Sequence, residues 1–415
     1  MRAIFIAVRR EAAKYVPVTH SINGLTASAT RVDPCRQPME KSRVALIRCD
    51  GYDESSVFSA VSQGIELLGG LSRFAAPEET ILLKPNVLVG DDPGNLVSPH
   101  PSVVRAVAKL LRTRTSRLTY GDSPSFGRPE SALRKAGLAA AAEESGALPA
   151  DFTNGRDVSF PASPFTRRFF LAQGVLSCDG IVSIAKLKSH AFMRMTGAVK
   201  NQFGCVAGMS KASFHLKLQD PADFARMLTA LTLCLKPRLY VMDGIVAMQG
   251  NGPRGGEPCS MKALLFSEDP VALDAVMCRL VALDPSALLT NPPGRQWGLG
   301  THLAEEIEIV GDHLESLVNG DFVVNRDAAR RQLPPAVASI VNAWVAPRPV
   351  IDQKRCSRCG TCIEICPVTP KAVDWRGGSR TLPPRHSYER CIRCYCCQEV
   401  CPEKAISVRK GLFGA

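Results

Sequence analysis

From Arg43 to about Asp312, short apolar runs alternate with segments of helical period. The runs are Val44–Cys49, Ile81–Leu83, Leu118–Tyr120, Ile181–Ile184, Leu239–Met242, Ala263–Phe266 and Ile307–Val310. Each is short enough, and rich enough in β-branched residues and leucine, to read as a strand. Between them, Ser55–Leu68, Ser102–Leu111, Pro129–Glu143, Pro221–Leu235 and Pro270–Leu283 read as helices. Asp269-Pro270 opens the last of these as an N-cap followed by proline at the first helical position. Strands alternating with helices predict an α/β class: a mainly parallel sheet with flanking helices over residues 43–327. Residues 328–349, with Pro334, Pro335, Pro347 and Pro349, predict a linker with a short helix, and 350–410 a separate small unit. Residues 1–42 have no clear period and read as a polar N-terminal extension, with Met39 as an alternative start just before the first convincing strand.

Several predicted strands run into polar residues in the same way. Ile81–Leu83 meets Lys84-Pro85-Asn86, and Leu118–Tyr120 meets Gly121-Asp122-Ser123-Pro124. Ile181–Ile184 leads to Lys186-Leu187-Lys188-Ser189-His190, and Leu239–Met242 to Asp243-Gly244. In an open α/β sheet the carboxyl ends of the strands share one crevice where ligands bind. Alternate side chains of an extended segment share a face, so Lys186, Lys188 and His190 are expected to project together. Two cations and an imidazole suit an anionic substrate and proton transfer near neutral pH; the plainer alternative is a solvated basic strand end. Lys200 and Asn201 add a further cation and amide. Asn251 and Arg254 lie in the glycine-rich loop 250–256, whose backbone can bind an anion or form a simple surface turn. The candidate catalytic residues are therefore Lys186, Lys188, His190, Lys200, Asp122 and Asp243. The candidate substrate-binding residues are Lys84, Asn86, Asn201, Asn251 and Arg254. His20, His215, His302, His313 and His386 have no supporting partner in sequence and read as bystanders.

The tail carries the sharpest chemistry. Cys356, Cys359, Cys362 and Cys366-Pro367 form one C-x2-C-x2-C-x3-C-P run, and Cys391, Cys394, Cys397 and Cys401-Pro402 a second. This is the spacing of two-cluster bacterial ferredoxins, in which the fourth cysteine of each run serves the other cluster. It predicts two [4Fe–4S] clusters: Cys356, Cys359, Cys362 and Cys401 around the first, and Cys391, Cys394, Cys397 and Cys366 around the second. Zinc needs only four ligands per site and has no use for a triplet plus one. Residues 350–410 are therefore expected to form a small α+β ferredoxin-like domain. Cys396 is an odd ninth cysteine there, suited to packing beside a cluster.

Composition narrows the partners. The chain has 415 residues, 45% hydrophobic, with a formal charge of +12. The basic residues are scattered without aromatic interleaving, so no nucleic-acid site is expected. In the tail, Arg358, Arg390, Arg393 and Lys404 adjoin the cluster cysteines, where they offset negative charge or dock an acidic carrier. Cysteines outside the tail are dispersed, as free thiols in a reducing compartment are. No apolar run is long enough to span a bilayer, and Ile4–Val8 is too short for a signal peptide. A cytoplasmic location is expected.

Taken in order, Leu83-Lys84-Pro85-Asn86, Gly121-Asp122-Ser123-Pro124, Ala185–His190, Gly197–Asn201, Asp243-Gly244 and Asn251–Gly256 resemble the DUF362 family, many members of which carry a C-terminal ferredoxin module. The resemblance spans roughly residues 43–310 plus the tail and implies the fold and clusters more than any activity. A more distant resemblance is to the lactate racemase family, in which a proton-transferring histidine precedes a cofactor-anchoring lysine by ten residues, as His190 precedes Lys200. Three functions follow as expectations. The first is a reductase passing single electrons from a low-potential ferredoxin- or flavodoxin-type donor to a small anionic, conjugated or aromatic substrate. The second is a non-enzymatic electron-transfer or assembly protein. The third is a racemase- or isomerase-like enzyme.

Overall fold

A computed structural model describes residues 41–208, 210–326 and 347–409. The N-terminal extension, Met39 and most of the expected linker lie outside these residues. In chain order the strands of the larger part are β1 (Ser42–Arg48), β2 (Ile81–Pro85), β3 (Leu118–Tyr120), β4 (Leu148–Pro149), β5 (Gly155–Ser159), β6 (Arg168–Ala172), β7 (Gly180–His190), β8 (Arg194–Thr196), β9 (Leu239–Gln249), β10 (Glu257–Ser267) and β11 (Ile307–Gly311). Nine of them form one sheet in the order β11-β1-β10-β9-β7-β2-β3-β4, with β8 folded back on β7. Neighbours β9, β7, β2, β3 and β4 are all parallel, as are β11 and β1. Antiparallel pairings join β1 to β10, β10 to β9 and β8 to β7. The sheet is thus mixed but mainly parallel.

Helices cover both faces because the strand residues alternate. Ala45 and Ile47 of β1 pack with Val57, Val61 and Ile65 of the helix Glu54–Leu67 and with Val103 and Val107 of Pro101–Arg112. Val44 and Leu46 point the other way, into a layer with Val276, Met277 and Leu280 of the helix Pro270–Leu280. The Asp269 carboxylate accepts from Val271 N and Ala272 N, capping that helix as expected. Two expectations change. The helix Pro129–Glu143 is broken at Gly137, where φ of 69° stops one helix and starts the next. Strands β7, β9 and β10 run to eleven residues each. In β7 and β9 the polar Lys186 and Asp243 do not mark strand ends, because they are buried against each other and both strands continue past them.

The tail adds β12 (Arg348–Ile351) paired antiparallel with β15 (Ile406–Arg409), and β13 (Val373–Asp374) paired with β14 (Arg385–His386). A short helix, Thr361–Glu364 or Cys396–Val400, follows the second cysteine of each run. This unit is fastened to the sheet through the loop after β9. Arg254 is buried in a two-pronged pair with Asp91, at 2.7 Å on each side, and its Nη1 donates to Val400 O at 2.6 Å. Asn251 donates to Ile406 O and accepts from Val408 N, while its carbonyl accepts from Gln398. Leu88, Val89, Val97 and Met248 close over Val400.

Candidate functional site

The carboxyl ends of β9, β7, β2 and β3 lie side by side, so the polar strand ends do meet. They divide into two groups. In the first, Lys186 Nζ lies 2.8 Å from Asp243 Oδ2 and 2.8 Å from the Tyr52 hydroxyl, which itself donates to Asp243 at 2.9 Å. Asp243 also accepts from the backbone of His100 and Ile245. Every group here is engaged, so Lys186 and Asp243, expected as catalytic, form a structural knot. Tyr52 stacks on His100 with ring centres 3.9 Å apart, which closes it from above.

The second group lies around a pocket open to solvent, about 490 Å³ with its open mouth included. At its floor Asp122, which lines the pocket, forms a fully buried pair with Lys84 at 2.7 Å and accepts from Val87 N. Asn201 joins them by accepting from Lys84. Lys84, expected to bind substrate, is thus buried behind the lining and paired with Asp122. Gly204 is required here, since a Cβ would stand 1.8 Å from Asp122 Oδ1. Gly197 makes room in the same way for Asp274, which caps Ala198 N and Val199 N and so fixes the turn holding Lys200. Lys188 donates to Asn86 and to Val97 O. Burial, and then the neighbouring Lys200 charge, lower it to about 7.

His190 sits at the end of β7, buried, with Nδ1 accepting from Phe192 N and Met193 N. Those two donors leave its proton on Nε2, which stands 3.1 Å from Glu399 Oε1. Among the described residues, that contact is the one polar partner of Nε2, and His190 lines the pocket. Burial and the nearby Lys200 lower His190 to about 4, so it is neutral at pH 7. Burial pushes Glu399 up, but His190, Lys200 and His215 overcome this and hold it ionised. Lys200 and Lys211 complete the cationic side. Burial depresses both, Lys211 to about 7. Lys211 donates to Ser123 O and Pro124 O. The opposite wall is aromatic: His215 stacks on Phe224 at 4.6 Å, Phe203 meets its edge at 5.8 Å, and Phe192 packs on Phe224. His215 Nδ1 is buried without a partner.

The solvated strand end considered for Lys186–His190 is excluded, as all three side chains are buried. Asn251 and Arg254, expected to bind substrate, instead hold the tail against the sheet. Reading the sequence missed Lys211, His215 and Glu399. Lys211 and His215 are four residues apart on the helix Ser210–Lys217, a spacing that places them on one face. Glu399 gives no such signal, since its partner lies 209 positions away.

The tail cysteines gather in two groups. Cys356, Cys359, Cys362 and Cys401 surround about 350 Å³, and Cys366, Cys391, Cys394 and Cys397 about 330 Å³. The fourth cysteine of each run lies with the triplet of the other. Ala405 N donates to Cys401 Sγ and Ala372 N to Cys366 Sγ, which suits thiolates carrying negative charge. Arg358 and Arg393, each preceding a second cysteine, take the left-handed φ values of 60° and 55° that wrap the chain around each cavity. Four thiols about an apolar cavity with N–H support fit an iron–sulfur cube.

Residues 81–279 match the family described as a domain of unknown function (DUF362), and residues 348–402 a 4Fe-4S dicluster domain. The thylakoid-associated protein sll1697 of Synechocystis sp. is 34% identical over 263 residues, covering 63% of this chain and 81% of that protein. The chain belongs to the DUF362 family. Within this DUF362 protein the tail is a 4Fe–4S-binding domain of ferredoxin type. Two solved structures are similar at low level. The lactate racemase apoprotein from Thermoanaerobacterium thermosaccharolyticum has 10% identity and a TM-score of 0.36, over 57% of this chain and 56% of that one. A Thermotoga maritima protein has 12% identity and a TM-score of 0.32, over 51% and 55%. Among the described residues, no helix is long and apolar enough to cross a membrane.

Proposed function

We propose that this DUF362 protein is a reductase that passes single electrons to a small anionic, conjugated or aromatic substrate in the His190 pocket. One observation carries the reading. Glu399 belongs to the helix Cys396–Val400, between Cys397 and Cys401, and reaches into the pocket to stand 3.1 Å from His190. The cluster-bearing tail therefore supplies part of the pocket wall. Cys356, Cys359, Cys362 and Cys401 would hold one [4Fe–4S] cluster, and Cys391, Cys394, Cys397 and Cys366 the other. When bound, such clusters supply single low-potential electrons, here drawn from a ferredoxin- or flavodoxin-type donor.

The chain's own residues do the rest. Lys200 and Lys211 offer positive charge to an anionic group, and the Phe203–Phe224–His215 wall accepts a flat apolar one. Reduction of a conjugated double bond takes up two electrons and two protons. Neutral His190 is placed to donate a hydrogen bond from Nε2 to the substrate, with Glu399 orienting the ring. Lys200 and Lys211, depressed by burial, give the two protons. Phe192 links this pocket to Tyr395 beside Cys394, with ring centres 6.4 Å apart.

The test is anaerobic reoxidation of the reduced protein by a panel of unsaturated and aromatic carboxylates, read as recovery of the bleached iron–sulfur absorbance. Wild type is expected to be reoxidised by at least one. His190→Gln slows that step by about a hundredfold, the loss of one hydrogen-bond donor, and Lys200→Met both slows it and raises the substrate concentration needed, with cluster spectra unchanged. Equal rates in wild type and both variants for every active compound would sink the assignment.

A further inference from the structure

Cys359 is the one cluster-motif cysteine among the described residues whose side chain is exposed. What surrounds it is neither flat nor neutral. Trp375 packs against Gly360, so closely that a Cβ there would lie 3.3 Å from the indole. Arg380 lies over the Trp375 ring, 5.4 Å from its centre. Arg358, next to Cys359, donates to Thr381 O at 2.9 Å, which draws the loop after Trp375 across this edge. Arg355 is anchored alongside by donating to Glu403 O. Leu382, at the end of the loop, is half exposed.

The result is a small apolar centre, Trp375 and Leu382, rimmed by exposed guanidiniums of Arg355, Arg358, Arg376 and Arg380. Asp352, which accepts from Arg355 N, Asp374 and Glu403 are acidic side chains at this edge and are outnumbered by the four arginines and Lys354. An apolar centre with a charged rim is the anatomy of a transient protein interface. Arginine is the residue type that pairs with carboxylates in such settings. The Tyr395 side of the tail packs against Phe192 and Phe224, whereas the Cys359 edge is open to solvent.

We infer that the Trp375–Arg380 face around Cys359 is the docking surface for an acidic one-electron carrier protein. This rests on the reductase reading only in assuming that electrons enter from outside. At each encounter the carrier loses one electron and the tail gains one, with no bond made or broken. Its acidic face meets the four guanidiniums, and its redox group comes to rest over Trp375 and Cys359.

The probe is a reduced acidic [2Fe–2S] ferredoxin, mixed anaerobically with the oxidised full chain in a stopped-flow instrument. The wild-type rate is expected to fall steeply between about 50 mM and about 300 mM salt, as screening shortens the reach of surface charge. The double variant Arg358→Glu, Arg380→Glu is expected to lose about tenfold or more at low salt and to bind the ferredoxin more weakly in a titration. Arg409→Glu, elsewhere on the tail, retains the wild-type rate. Photoreduced deazaflavin, a small reductant, reduces all three proteins alike, which shows that the variants are folded and loaded. A salt-independent rate that the double variant leaves unchanged overturns the proposal. So does failure of the ferredoxin to reduce a wild type that deazaflavin reduces. Neither result touches the pocket, because substrate reduction can be driven by deazaflavin alone.

Discussion

His215 shows how burial decides what a residue does. In an unfolded chain its imidazole titrates near 6.5, whereas in the fold burial depresses it to about 4. Between those values the unfolded state binds the extra proton. Its contribution to stability is therefore full above about pH 6.5 and is lost as pH falls toward 4. From about pH 7 to about pH 5 the loss from this one group is about 2 kcal/mol. Anaerobic urea unfolding should show it, with a flatter pH dependence in His215→Phe. An identical slope in the variant would mean that the ring is not held neutral. In sequence His215 carries no mark of this role, because what buries it is Phe203 and Phe224. Lys186 and Lys188 were legible as a pair on one face. Their separate partners, Asp243 for one and Asn86 with Val97 O for the other, were not, since they come from other strands and loops.

At the scale of elements, the loop after β9 and the helix Cys396–Val400 act as one unit. Arg254 pairs with Asp91 and holds the helix through Val400 O, all three buried. Removing one side of such a pair leaves a buried charge uncompensated and costs about 3–5 kcal/mol. Arg254→Ala is thus expected to loosen the tail from the sheet. Hydrogen exchange of the 396–400 amides should speed up, and substrate reduction should fall with the displacement of Glu399, while the iron–sulfur spectrum persists. Unchanged exchange in that helix would show that the apolar contacts of Leu88, Val89 and Val97 suffice. The strands and most helices were legible from period alone. The lengths of β7 and β9 were not, because polarity normally ends a buried strand and here it is neutralised across the sheet.

For the whole molecule, the metal content is the decisive number. Protein purified without oxygen is expected to hold about eight irons and matching acid-labile sulfide, without stoichiometric nickel. Nickel beside the iron would favour the racemase-like alternative, and zinc in place of iron would remove the electron-transfer argument. The sequence by itself determined the α/β class and the two cysteine runs, since both are written in local spacing that needs no knowledge of distant contacts. Only the tertiary structure decided that Lys84 pairs with Asp122 and Lys186 with Asp243. It also decided that Asn251 and Arg254 clamp the tail, and that Glu399 faces His190. The physical reason is that a charge in the interior is defined by its partner, and these partners are brought together from far along the chain by the order of the strands.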